Sequence, residues 1–193
     1  MKKIIFLMIC FLTASAVCDV AAPFAAGNQE PGTDHSSGST AGAINSLDSF
    51  YSSELTKGYD IRDLEADYDV FDAQKDNCFV IGAMVHNDSL YSEFMDAYAD
   101  QNDAFIRVAQ NTAGGDLFLY DILYHPESAF LYLVTDQTRN KLLAEADRQI
   151  ELRQFEHTAE YTYKDHLYWI LYNGEVDDSN FESADVFILA TIN

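Results

Sequence analysis

AFIRVAQNTAGGDLFLYDILYHPESAFLYLVTD, residues 104–136, decides how this chain is read. It holds three runs rich in β-branched and aromatic residues, 104–111, 116–125 and 128–136, each of strand length. Between the first two lies Thr112–Gly115, whose glycines accept positive φ. His125-Pro126-Glu127 joins the second to the third. Connections this short predict antiparallel neighbours. Alternation puts Asp121 on one face with Leu117, Leu119 and Leu123. A charge in such a row must be paired or lie near an edge. Arg107, between Ile106 and Val108, is expected to pair across strands with Asp121, or with Asp116 or Asp136. Three roles stay open for Arg107, Asp116, Asp121 and Asp136: ion pairs that fix strand register, a ligand-binding cluster, or catalysis.

Working outward, CFVIGAMVH (78–86) reads as a strand, with Gly82 marking a bulge or a close backbone approach. NDSLYSEFMDAYADQ (87–101) reads as a helix capped by Asn87, Asp88 or Ser89. Its Leu90, Phe94, Ala97 and Tyr98 share one face. Residues 46–57 and 68–74 suggest short helices, and 139–149 has helical propensity. Residues 150–163, 166–173 and 185–192 read as three further strands. The expected fold is α+β: an antiparallel sheet with one main helix, about 88–100, and short helices packed on one face.

Several features between Lys75 and Arg139 occur in a distinctive order. KDNCFVIGAMVHN is a strand ending at Asn87, and a helix around Phe94 follows. Then come Ile106-Arg107, Thr112, Gly115-Asp116, an aromatic strand with internal Asp121, and Asp136-Gln137-Thr138-Arg139. This arrangement resembles an uncharacterised domain family of secreted lipoproteins from Firmicute bacteria. The family usually has an acid before Gly-Asp and a Pro after it, where this chain has Gly114 and Leu117. The family has no assigned activity, so the resemblance implies an envelope location and a lipid anchor rather than a chemistry.

The start of the chain points the same way. Met1-Lys2-Lys3, the apolar IIFLMICFL (4–12) and Thr13-Ala14-Ser15-Ala16 have the three parts of a secretory signal peptide, expected over 1–16. Cleavage after Ala16 leaves Val17 first; cleavage before Cys18 leaves a cysteine able to carry a lipid anchor. Ser15 and Val17 depart from the usual lipoprotein box, and Ala16 fits it. Residues 17–45, poor in large apolar side chains, read as a flexible tether, and 46–193 as a single globular domain. Cys10 leaves with the signal peptide, and Cys78 is expected to be a buried free thiol.

Thirty-two acidic residues face eleven basic ones, a net charge of −21. Loss of Lys2 and Lys3 makes it about −23. Such a chain is repelled by phosphate backbones, which argues against a nucleic-acid partner. No nucleotide loop, nucleophile elbow or His-Glu-x-x-His helix is present, and no cofactor or metal site is expected. The acidic run EVDDSNFESAD (175–185) lacks the ligand spacing of a calcium loop. Tyr120, Tyr124, Tyr132, Tyr161, Tyr163, Tyr168 and Tyr172, with Trp169, suit either a sugar- or peptide-binding face or an ordinary half-buried sheet. The expectation is a non-enzymatic exported envelope protein with an interaction role and an extracellular or envelope partner. It would touch the membrane only through a lipid on Cys18. The alternative is a wall-associated hydrolase using paired carboxylates.

Overall fold

The computed structural model describes residues 44–192, apart from 83–84, 112–115, 129 and 142. The signal peptide expected over 1–16, nearly all of the tether, Cys10, Cys18 and the Thr112–Gly115 turn lie outside the described residues. Ile44 is buried and its carbonyl accepts a hydrogen bond from Gln154 Nε2 at 3.1 Å, so the packed chain already includes residue 44.

Eight strands form two sheets. Sheet A contains β1 (Phe79–Ile81), β2 (Ala104–Asn111), β3 (Leu117–His125), β4 (Phe130–Asp136) and β5 (Ile150–Phe155), in that spatial order. Sheet B contains β6 (His157–Tyr163), β7 (His166–Tyr172) and β8 (Val186–Ile192). Three short helices accompany them: α1 (Leu47–Tyr51), α2 (Val70–Lys75) and α3 (Asp88–Ala99). The α+β expectation, one antiparallel sheet with a main helix and helices on one face, is therefore corrected. The molecule is mostly β, α3 is one of three short helices, and helices lie on both faces of sheet A.

Three physical causes account for the difference. First, β1 runs parallel to β2, with Phe79 opposite Val108, because α3 serves as the crossover between them. Second, the run 150–163 is broken at Glu156. There the Glu156 N–H donates to Asn173 Oδ1 and the Tyr172 carbonyl, and Glu156 Oε2 accepts from the Gly174 N–H. The chain turns this corner and pairs with β7 instead of continuing along β4. Third, the described residues of 139–149 form turns and one 3₁₀ turn at Glu145–Asp147 rather than a helix. Its Arg148 side chain bonds the carbonyls of Leu143 and Lys141, closing a loop.

Alternation along the strands divides the interior in two. Ile106, Val108, Tyr120, Ile122, Leu131, Leu133 and Phe155 face α3 and sheet B, meeting Phe94, Trp169, Leu171 and Leu189. The α3 residues Leu90, Phe94, Ala97 and Tyr98 all join this core. Asn87 occupies the N-cap with positive φ, but its side chain donates to the Cys78 carbonyl instead of capping the helix. The opposite face of sheet A, with Leu117, Leu119, Leu123, Tyr132 and Val134, is covered by residues 44–78 through Ile44, Phe50, Ile61, Tyr68 and Ala73. In β8 an extra residue interrupts pairing: Ile188 opposes Ile170, Ala190 opposes Trp169, and Leu189 has no partner. This bulge turns both Leu189 and Ala190 into the core.

Cys78 is a buried free thiol whose Sγ lies 3.7 Å from the Tyr68 hydroxyl. Burial pushes it up to about 11, and the Tyr68 hydrogen bond opposes the rise only in part. The unfolded thiol titrates near ~8.5. Because the folded value is the higher one, the stability contributed by the neutral thiol is complete below the unfolded value. It is lost as pH climbs from there through about 11. Denaturant melts at pH 8 and pH 10.5 are therefore expected to show a larger alkaline loss in the native chain than in Cys78→Ala. Equal losses would show that the thiol does not ionise late.

Candidate functional site

Arg107 and Asp121 are direct cross-strand partners on β2 and β3, on the face covered by the N-terminal segment. Arg107 Nε donates to Asp121 Oδ1 and Nη2 to Oδ2, both at 2.6 Å, a bidentate fork. The Tyr51 hydroxyl of α1 donates to Oδ2 at 2.8 Å, and Nη2 also donates to the Tyr59 carbonyl. The Tyr59 ring lies 5.6 Å from the guanidinium carbon, a cation–π contact. Burial drives the Asp121 carboxyl above the ordinary carboxylate value, while the guanidinium and the Tyr51 hydroxyl pull it back. Arginine keeps its proton, and the bidentate fork makes Asp121 the chief partner of that buried charge. Asp121 has no exposed surface, so it touches no ligand.

Asp136 is held differently. Its Oδ1 accepts from the backbone N–H and hydroxyl of Thr138, at 2.8 and 2.6 Å, and its Oδ2 from Arg139 Nη1. Arg139 Nη2 then reaches the carbonyls of Leu64 and Glu65, each at 3.2 Å. The Asp-x-Thr-Arg segment is thus a turn with an arginine clamp. Both acid–arginine pairs end on backbone carbonyls of the covering segment, Tyr59 from one and Leu64 with Glu65 from the other.

Asp116 lies elsewhere, in the wall of a cleft of about 440 Å³. Tyr68 and Leu117 supply apolar surface, Asp67, Asp69 and Asp116 supply acid, and Arg139, Lys141 and Arg148 line it with basic groups. Asp69 is engaged as the N-cap of α2, accepting from the N–H groups of Phe71 and Asp72. The cations are more informative. Nine Lys and Arg side chains fall among the described residues. Lys57, Arg62, Lys75, Arg107, Arg139, Arg153 and Lys164 are ion-paired. Lys141 and Arg148 have no ion-pair partner among the described residues, and both line this cleft. Neither was marked by the sequence. Glu145 and Asp147 precede Arg148 closely in the chain, so sequence alone offers it partners that it does not take.

The four acid and arginine residues singled out from sequence therefore do not form one cluster. Arg107 with Asp121 is a buried pair, Asp136 with Arg139 a separate, half-buried one, and Asp116 lines the cleft. The tyrosines do not form an exposed platform. Phe181, from the 175–185 run, stacks on Tyr161 and Tyr163 with ring centroids 5.2 and 4.5 Å apart. The Tyr161 hydroxyl donates to Asp178 and that of Tyr163 to Glu182. Asp177 folds the run on itself by accepting from the Ser179 and Asn180 N–H groups. Among the described residues there is no group of three or more His, Cys, Asp or Glu placed to hold a metal ion. No helix among them is long and apolar enough to cross a membrane. No family model, curated protein or solved structure matches the chain.

Proposed function

We propose that this is an exported cell-envelope protein with a binding role. Its ligand carries an anionic group, which docks on Lys141 and Arg148 in the cleft beside Asp116. The observation that carries this reading is the pairing pattern of the cations. In a chain with so large an acid excess, seven of nine described cations are neutralised by partners, and the two that are not face one concavity. Such a spot attracts an anion against the surrounding field. The acids Asp67 and Asp116 and the apolar Leu117 share the cleft, which suits a ligand bearing both signs of charge. A short peptide with a free terminal carboxylate has that chemistry. The export half of the reading rests on the signal-peptide pattern of residues 1–16 and on the resemblance over 75–139.

Calorimetric titration with a panel of short peptides tests the cleft. Free-carboxylate peptides are expected to bind at least about tenfold more tightly than their amidated forms, since a hydrogen bond to a charged group is worth ~1.5–3 kcal/mol. The double variant Lys141→Ala, Arg148→Ala is expected to lose that preference. Equal binding of both peptide forms, or an unchanged preference in the variant, would remove the cleft from the reading. Mass spectrometry of the chain recovered from its source cell tests the location: a mature start at Val17 or at a lipid-modified Cys18 is expected, and a chain retaining Met1 overturns it.

A further inference from the structure

At the end of β3 away from the cleft, three side chains from separated segments meet. His125 closes β3, Asp103 precedes β2, and Ser53 follows α1. Asp103 Oδ1 lies 2.9 Å from His125 Nδ1, and Ser53 Oγ lies 3.3 Å from His125 Nε2. The carboxylate favours the tautomer with the proton on Nδ1, which leaves Nε2 to accept from the Ser53 hydroxyl. This acid–imidazole–hydroxyl order is the one that activates a serine nucleophile on unrelated folds. The Leu55 N–H donates to Ser53 Oγ at 3.4 Å, a weak bond that helps hold the hydroxyl oxygen beside the imidazole.

The buried ion pair positions the serine. Tyr51 is tied to Asp121, Ser53 is two residues further along the chain, and His125 is on the same face of β3 as Asp121, four residues on. The three residues lie at the surface, with the Asp103 side chain 57% and the His125 side chain 22% exposed. A site this open suits an activated ester more than an amide, whose amine is a poorer leaving group.

We propose that Ser53, His125 and Asp103 form an acyl-transfer relay that hydrolyses carboxylic esters of good leaving alcohols. Ser53 Oγ bonds to the ester carbonyl carbon as its proton passes to His125 Nε2. The bond from that carbon to the alcohol oxygen then breaks, and the alcohol leaves with the proton from His125. Water, deprotonated by the same imidazole, attacks the acyl-serine; the acid is released and Ser53 regains its hydrogen.

The test uses the full chain with p-nitrophenyl acetate and with a fluorophosphonate probe. Expected are a nitrophenolate burst and an adduct on the peptide that contains Ser53. Ser53→Ala and His125→Gln are each expected to lower the rate at least about a hundredfold. Asp103→Asn should also lower it, with a shifted pH profile. Labelling of the native chain does not depend on whether a variant folds. Absence of an adduct at Ser53 overturns the proposal. So does a Ser53→Ala rate equal to that of the native chain, which would leave Ser53–His125 as a bridge tying α1 to the sheet.

Discussion

Asp121→Ala is expected to destabilise the protein by about 3–5 kcal/mol, the typical cost of stranding one partner of a buried ion pair. The magnitude follows from the surroundings of Arg107. Its guanidinium is buried, its fork is satisfied by Asp121, and the Tyr59 carbonyl alone cannot neutralise it. Replacing the whole polar unit should behave differently. In Arg107→Met, Asp121→Leu, Tyr51→Phe no charge or hydroxyl is left unmatched, and such apolar replacements are often neutral or better. Urea melts of the single and triple variants are the measurement. If the triple variant falls as far as Asp121→Ala, desolvation is not the cause of the single-site loss. The pair also has a geometric role: a slip of one residue between β2 and β3 would take Asp121 away from Arg107 and turn it toward the opposite core.

Trp169→Ala is expected to cost about 3–5 kcal/mol, the range for emptying a large buried aromatic site. For a domain of this size that lowers the melting midpoint by roughly 10 °C. Trp169 is fully buried on β7, and its ring lies 4.7 Å from Tyr91, 6.1 Å from Phe94 and 6.2 Å from Phe79. One side chain thus joins sheet B to α3 and to the edge of sheet A. Its indole N–H donates to Thr158 Oγ1 at 2.8 Å, and that hydroxyl donates to the Ile170 carbonyl at 3.0 Å. Trp169→Phe keeps much of the volume and loses the first of these bonds, so its cost should be smaller. Circular dichroism is the suitable probe, because Trp169 is the single tryptophan. A midpoint within a degree or two of the native value would show that the two sheets are held together by other contacts.

The centre of sheet A was legible because its residues carry their own instructions. The runs around Arg107, Asp121 and Val134 are β-prone, largely apolar and joined by connections too short for any return except an antiparallel one. The lone acid in a leucine row likewise announced a partner. The boundary between the sheets was not legible, because Glu156 is neither Gly nor Pro. Its corner depends on Asn173 and Gly174, which arrive later in the chain. The parallel edge could have been read, since a helix between 81 and 104 is the usual crossover, but CFVIGAMVH looked like a longer strand than the three residues that pair with β2. The stretch 139–149 has good helix formers yet lacks an apolar stripe, and Arg148 folds back onto its own carbonyls. Lys141 and Arg148, and the meeting of Ser53 with His125, are consequences of tertiary placement, and nothing in local spacing marks them.

The two arginine clamps have a consequence for the order in which this protein is made. Residues 44–78 leave the ribosome before the surface they must cover exists: Tyr51 waits for Asp121, Leu64 for Arg139, and Ile44 for Gln154, 110 positions downstream. Contacts of such long range form slowly. The earliest-born portion of the described chain therefore waits for its seat until synthesis has passed Gln154.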